Sequence, residues 1–293
     1  TDKVVIDSVY YSAGNADYTD LLGCVVEAFY DKNDDSHPLV YVGEAQNRND
    51  IITVDLSDVS DVSESGREFT ITYGEKEKAE KIKLGRNTWF VYNFEQTAIK
   101  KEHLVNEKAP GATKEPEEKC GQLRLIDNDL DGDWEVAVVT DYTALQINEI
   151  ATTPSVIVGK DASEKIELDS EKKSYTFEIL KNGKEIKFSD LKKKDIVLYA
   201  ASTGNAKNHK RVLVSNSVIN GELSAKGEDF VSIGTKDYKI SRQLYDSIPL
   251  GTSGAFYLDA FNIIRAVSEV EDMVFGFVRK VGKTRGITSY PVM

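Results

Sequence analysis

Between two strand-like runs the chain reads Asp127-Asn-Asp129-Leu-Asp131-Gly132-Asp133-Trp-Glu135, with a carboxylate at every second residue and glycine at the sixth position. Spacing of two lets a curling loop aim alternate side chains at one point, and Gly132 permits the sharp bend. That is the donor order of oxygen-rich calcium loops. Calcium takes six to eight oxygens at roughly 2.3–2.6 Å, so Asp127, Asp129, Asp131, Asp133 and Glu135 are the candidate ligands of a structural Ca2+. The second half departs from an EF-hand: the chain enters a strand-like run, Glu135–Thr140, and position 12 is Val138 rather than a bidentate glutamate. Asp, Asn and Gly also build ordinary tight turns. Two readings therefore stay open, a cation site and a turn whose five carboxylates repel one another.

Other chemistry fails sooner. His37, His103 and His209 fall in polar stretches far apart in sequence and read as surface histidines. Two cysteines with three scattered histidines do not make a zinc site, which needs about four such ligands together. No spacing rule pairs Cys24 with Cys120; Cys24 sits in the apolar run LLGCVVEAF, where a small buried thiol is the commoner role. A Gly-x-Ser-x-Gly elbow, a phosphate loop and a dinucleotide fingerprint are all missing from the sequence. A glycosidase pair would need two carboxylates ~5–10 Å apart across a cleft rather than crowded on one loop. Lys192–Lys194 and Lys207–Arg211 read as solvated faces or edge-strand guards. Trp89 alternates with large apolar residues and belongs in a core, whereas Trp134, inside the acidic loop, is the one expected to be exposed and able to stack on a sugar.

The elements that must position these residues are strands. Runs of four to seven residues rich in Val, Ile, Tyr and Phe, separated by Gly, Asn, Asp and Lys clusters, predict an all-β chain. Among them are Lys3–Tyr11, Gly23–Tyr30, Trp89–Asn93, Glu135–Thr140, Ile196–Ala200, Arg211–Val214 and Ala255–Leu258. Two short helices are expected, at Thr97–Asn106 and at Ser241–Ile248, where Ser241 can cap and Pro249 forbids continuation. One hairpin pattern recurs at Leu21–Ala45, Leu191–Val218 and Pro249–Val270, with turns at Asn33/Asp34, Gly204/Asn205 and Asp259–Asn262. Strand pairs around Asn182-Gly183 and Gly234-Thr235 lie upstream of two of these hairpins. Repeated hairpins of this kind predict tandem small β-barrel or sandwich-like domains. His103–Glu118, with Pro110, Gly111 and Pro116, reads as a long charged loop, and 150–161, with Pro154, as the boundary between a domain at 1–152 and another at 153–293.

The 293 residues carry a net charge of −12, split unevenly: 15 basic against 31 acidic through residue 150, then 22 against 18. An acidic chain is repelled by phosphate backbones, so nucleic acid is excluded as a partner. No apolar run approaches the roughly 20 residues that cross a bilayer, and the first residues lack the basic and apolar regions of a signal peptide. The sequence reads as a piece of a longer protein, and its last residues, from FGFVRKVG with Arg279 to Arg285, as the start of a further repeat.

The segments GQLRLIDNDLDGDWEVAVVTDY (121–142), GTSGAFYLDAFNIIRAV (251–267) and Leu21–Tyr30 resemble the repeat region of clostridial-type cell-surface proteins that carry surface-layer homology (S-layer) modules. Leu130 stands where that family usually has Gly, and Asn262 replaces its usual turn Gly. The anchoring modules themselves are not in these residues. The resemblance implies an extracellular, non-catalytic, structural or adhesive segment at the bacterial cell surface, with neighbouring domains of a longer chain as partners. The alternative is a carbohydrate- or cell-wall-polymer-binding adhesion module that meets wall polymer or host glycan, motivated by the Tyr and Phe content, the two Trp and the acidic loop.

Overall fold

β-branched and aromatic runs cannot bury both faces as isolated hairpins, and here they pair into sheets around three separate cores. The computed structural model describes residues 3–269 apart from 15, 17, 66–67, 75–77, 86, 107–118, 173, 203–207 and 229. The chain is all-β, as its periodicity predicts.

The first unit is built on the hairpin of Gly121–Asp127 and Val136–Asp141. Asp50–Asp55 pairs antiparallel with the first strand, and Trp89–Tyr92 pairs parallel with the second. A meander of Val59–Ser65, Glu68–Tyr73 and Glu80–Leu84 covers it. The second unit repeats this order. Thr143–Gln146 flanks Ile196–Ala201, Asn208–Ser215 returns beside it, Tyr175–Lys181 runs parallel to that return strand, and Glu149–Thr152, Ser155–Val158 and Lys165–Glu167 form the meander. In the third, Ser217–Lys226 flanks Ser253–Leu258, which turns back into Ile264–Glu269. Phe230–Ile233 and Lys236–Lys239 continue from the flanking strand. The parallel strand has shrunk to one bridge, Ile240 to Ile264.

Each unit has its own core: Leu123, Leu125, Ala137 and Val139 with Ile71 and Leu84; Ile157, Ile179, Val197 and Val212; Leu223, Val231, Phe256 and Ile264. A buried Leu or Ile contributes roughly 1.5–3 kcal/mol. Tyr142 alone separates the first unit from the second, and Asn216 the second from the third. Where the units meet, Cys120, Tyr142, Leu198 and Ala200 pack with Phe94 and Phe261.

Residues 3–44 are built differently. Lys3–Ile6 and Val9–Ser12 form one hairpin and Val26–Tyr30 and Leu39–Glu44 a second, joined by a parallel bridge from Ser12 to Pro38. Before Val54, Ala13 and Ala45 are the only buried apolar side chains among the described residues.

Several expectations change. Lys3–Tyr11 is a hairpin and not one strand, because Asp7 and Ser8 both take positive φ (48° and 68°), the two-residue turn that right-twisted strands favour. The segment 150–161 does not separate two domains: Glu149–Thr152 pairs with Ser155–Val158, with Pro154 in the turn. The helix expected at Thr97–Asn106 reduces to one 3-10 turn, Lys101–His103. The second helix is found at Arg242–Ser247 with Ser241 at its N-cap position, but no side-chain bond caps it. Residues 107–118 of the charged loop, the Gly204/Asn205 turn, Lys207 and the basic tail at 279–285 lie outside the described residues. No helix among the described residues is long and apolar enough to cross a membrane.

Candidate metal centre

The acidic loop is the turn of the first unit's hairpin, hung between a strand buried on one face and half-buried on the other and its return strand. Asp127 ends the first strand and organises the loop. The residue is 3% exposed; Oδ1 accepts from the backbone N–H groups of Asp129 (3.2 Å) and Leu130 (2.6 Å), and Oδ2 from that of Gly132 (2.8 Å). Burial pushes the Asp127 pKa up, but the N–H groups of Gly132, Leu130, Asp129 and Asp131 together outweigh it and hold the carboxyl below its ordinary value. Two bends make the curl possible. Gly132 has φ +93°, and Leu130 is held at φ +65°, the left-handed region where a side chain is strained.

Glu135 closes the loop from the other side, its Oε2 accepting from the Asn128 N–H at 2.7 Å. The return limb is tied to the neighbouring strand: the Trp89 N–H donates to the Glu135 carbonyl (2.6 Å) and the Thr88 hydroxyl to the Trp134 carbonyl (2.8 Å). Carboxylate oxygens of Asp127, Asp129, Asp131 and Glu135 come within 4.8 Å of one another, so this group could hold a metal ion. Asp133 does not join them; its N–H donates to the Asp131 carboxylate at 2.9 Å. Four hard oxygen donors in an open loop fit a hard cation such as calcium better than a soft one.

The third hairpin turns in the same way with different surroundings. Asp259, 1% exposed, accepts from the N–H groups of Phe261 (2.8 Å) and Ile263 (2.9 Å), and Asn262 takes φ +62° at the position corresponding to Leu130. Its second oxygen accepts from Arg265 Nε at 2.7 Å. At the same place in the other hairpins, Asp31 accepts from the Asn33 N–H (2.9 Å) and Ser202 from the His209 N–H (2.8 Å). A short polar side chain opening the turn is common to all four; Asp31, Asp34 and Asp35 share one of the other turns, but among the described residues carboxylate oxygens converge only in the 127–135 loop.

The remaining candidates take structural positions. His103 is not a surface residue: it is 8% exposed and stacked on Tyr92 (ring centroids 4.3 Å apart) and Phe90 (5.5 Å), and burial lowers its pKa. His209 lies in a strand, its Nδ1 3.0 Å from the Thr176 hydroxyl and its Nε2 3.1 Å from Glu178. Arg211 Nε donates to the same glutamate oxygen at 2.5 Å. This Glu178–His209–Arg211 group was hidden from sequence reading because a parallel strand pair brings it together. His37, at φ +45°, sets its ring edge-on to Tyr11 and Tyr30. Trp134 is not the exposed platform expected of it; it is half-buried against the first core, and Trp89 is half-buried as well. Both cysteines are free thiols, and the buried Cys120 accepts from Arg265 Nη2 at 3.0 Å. Burial pushes the Cys120 pKa up to about 12.

A cavity of about 120 Å³ opens between the first unit, residues 19–22 and Arg211, and its polar lining includes Gln122, Arg124, Thr140 and Tyr142. No family model, curated protein or solved structure matches the chain.

Proposed function

We propose that the chain is a non-catalytic structural stalk segment of a bacterial cell-surface protein of the S-layer-associated kind, whose 127–135 loop carries a structural Ca2+. The observation that carries the stalk reading is the threefold recurrence of one strand order, each copy with its own core and joined to the next through a single residue. Short connectors and a shared apolar junction make a stiff spacer, since little chain is free to bend between units. The extracellular location rests on the resemblance of 121–142 and 251–267 to clostridial-type surface proteins.

The calcium reading rests on the contrast between the two aspartate turns. The Asp259 turn forms without extra acid, so Asp129, Asp131 and Glu135 are not needed to make the bend of the other. Crowding them costs free energy that a divalent cation would repay. Asp127 would bind while still holding its three N–H groups, with Asp129, Asp131 and Glu135 as the other donors. The ion would supply positive charge and bind the two limbs of the loop together. The glycan-binding alternative loses the exposed tryptophan that motivated it.

Thermal unfolding in millimolar calcium against chelator tests the reading. At a calcium concentration about 100 times Kd, binding to the folded state adds ~2.7 kcal/mol, a midpoint shift on the order of 10 °C for a small domain. An unchanged midpoint leaves only the turn. Hydrolytic turnover by the chain, abolished by one loop substitution, would overturn the non-catalytic assignment.

A further inference from the structure

The two faces of the first unit's sheet are made of different residues. Leu123, Leu125, Ala137 and Val139 lie in the core, so alternation along the strands puts their neighbours on the opposite face. Register sets these in rows: Arg124 opposite Val138, which pairs in turn with Val91, and Gln122 opposite Thr140. The corresponding face of the second unit's hairpin carries Leu198, Ala200 and Leu213, and that of the third Ala255, Tyr257 and Ala266, packed in small apolar clusters. The fold therefore does not call for an arginine, a glutamine and a threonine in this place.

Residues 19–22 run beside this polar face, and Arg124 holds them there, its Nη1 donating to the Asp20 carbonyl and its Nη2 to the Leu22 carbonyl. Between this strap and the sheet lies the cavity of about 120 Å³, lined also by Tyr142 at the junction and by Arg211 of the second unit. Its wall has two characters: Leu22, Val91, Phe94 and Val138 are apolar, whereas Arg124, Arg211 and Thr140 bring two cations and a hydroxyl. Pockets for small molecules combine these features, an apolar wall and a few converging polar groups where units meet.

The charges in the lining are not balanced. Arg211 is paired, its Nε donating to Glu178, and the Gln122 amide is taken up by Asp55. Arg124 meets neutral carbonyls instead. Its Nε is buried without a hydrogen-bond partner, and no carboxylate among the described residues forms an ion pair with it, including the exposed Asp20. A half-buried guanidinium without a counter-charge costs free energy that an anion beside it would return.

We propose that this cavity binds the carboxylate of a small organic acid, with the charged end facing Arg124, Arg211 and the Thr140 hydroxyl and the carbon chain against Val91, Phe94 and Val138. At roughly 30 Å³ for each water of the liquid the space equals about four waters, which suits an acid of about four carbons. Inorganic sulfate or phosphate would supply charge but leave the apolar wall without contacts. The cavity shares no residue with the 127–135 loop, so the proposal stands whether or not calcium binds there.

Proton–nitrogen NMR correlation spectra of the full chain, titrated with sodium butyrate, test it, with butyramide and sodium sulfate as controls. Butyrate is expected to shift the Arg124 and Arg211 Nε–H signals saturably, with Kd on the order of 1 mM or tighter. Butyramide keeps the shape without the charge and sulfate the charge without the chain, so each should bind at least about tenfold more weakly. Thr140→Val exchanges a hydroxyl for a methyl of the same shape and should weaken butyrate about fivefold. Val138→Phe fills the cavity from its apolar side and should abolish binding; Thr140→Val carries the test should Val138→Phe not fold. Absence of a shift at both arginines in millimolar butyrate overturns the proposal. Equal binding of butyramide or sulfate overturns it too, as does butyrate affinity that the folded variants leave unchanged.

Discussion

The loop at 127–135 and the turn at 259–265 open on the same device and then diverge. Each begins with a buried aspartate at the end of a strand, whose carboxylate gathers backbone N–H groups while the fourth residue takes the left-handed conformation. After that, Asp259 meets a cation of its own chain, Arg265, which also reaches Cys120 at the junction of the units. Asp127 meets three more carboxylates. One turn is neutral and ties two units together. The other is a concentration of negative charge with no basic side chain in it. A hairpin of this fold thus needs one aspartate, and everything acidic beyond it in 127–135 answers to a different requirement.

The largest effect that can break this comparison comes from the shared aspartate. Asp259→Ala strands two backbone N–H groups and leaves the Arg265 guanidinium without its partner, so urea unfolding of the third unit is expected to lose about 3 kcal/mol. Asp127→Ala should be the most damaging change in the acidic loop, and it should do its damage in chelator as well as in calcium. If Asp127→Ala is silent in chelator, the two turns are not built alike.

Next come the carboxylates that only one turn has. Asp129→Ala removes charge without removing a backbone anchor of Asp127 or the Asp131 carboxylate that holds the Asp133 N–H, so its midpoint in chelator should equal or slightly exceed that of the parent. In calcium it should lose most of the ~2.7 kcal/mol that a site at about 100 times Kd contributes. The left-handed position separates the turns further. Leu130→Gly should stabilise by about 1 kcal/mol, since a side chain at positive φ is strained and Leu130 is 52% exposed, whereas Asn262→Gly should change stability by less than ~0.5 kcal/mol because asparagine tolerates that conformation. Chemical denaturation of the two variants side by side is the check.

The smallest effect is in pH. Asp127 has a folded-state pKa below its unfolded one, so its contribution is present above the ordinary aspartate pKa and is lost as pH falls through the folded value. Unfolding free energy of the first unit should therefore drop between about pH 4 and lower pH, and Asp127→Asn should flatten that part of the profile. A profile unchanged by the substitution would mean that the N–H groups do not favour the charged form.

Much of the fold is legible in residues 121–142 and 251–267. Alternating apolar runs with a short polar turn between them dictate the hairpin, and Asn262 marks the left-handed position by its type. Leu130 hides the same position behind a residue that avoids it. The parallel pairings were not legible, because Trp89–Tyr92 and Tyr175–Lys181 read equally well as partners of any nearby run; sequence separation carries no register signal. Counting domains from charge and Pro154 divided the chain in the middle of a hairpin. The true junctions, Tyr142 and Asn216, are single residues with no Gly or Pro beside them, since a single extended residue suffices where one strand leads into the next sheet. The convergence of Asp127, Asp129, Asp131 and Glu135 follows from their spacing and from Gly132. Asp133 points elsewhere because its backbone, not its carboxylate, is what the loop uses.

Calcium titration calorimetry on chelator-treated protein, with Asp129→Ala beside the parent, tests the central claim most directly. One calcium per chain is expected for the parent and none for Asp129→Ala, with the Asp259 turn contributing no site in either. Absence of binding heat in the parent at millimolar calcium, or an equal stoichiometry in Asp129→Ala, would contradict it.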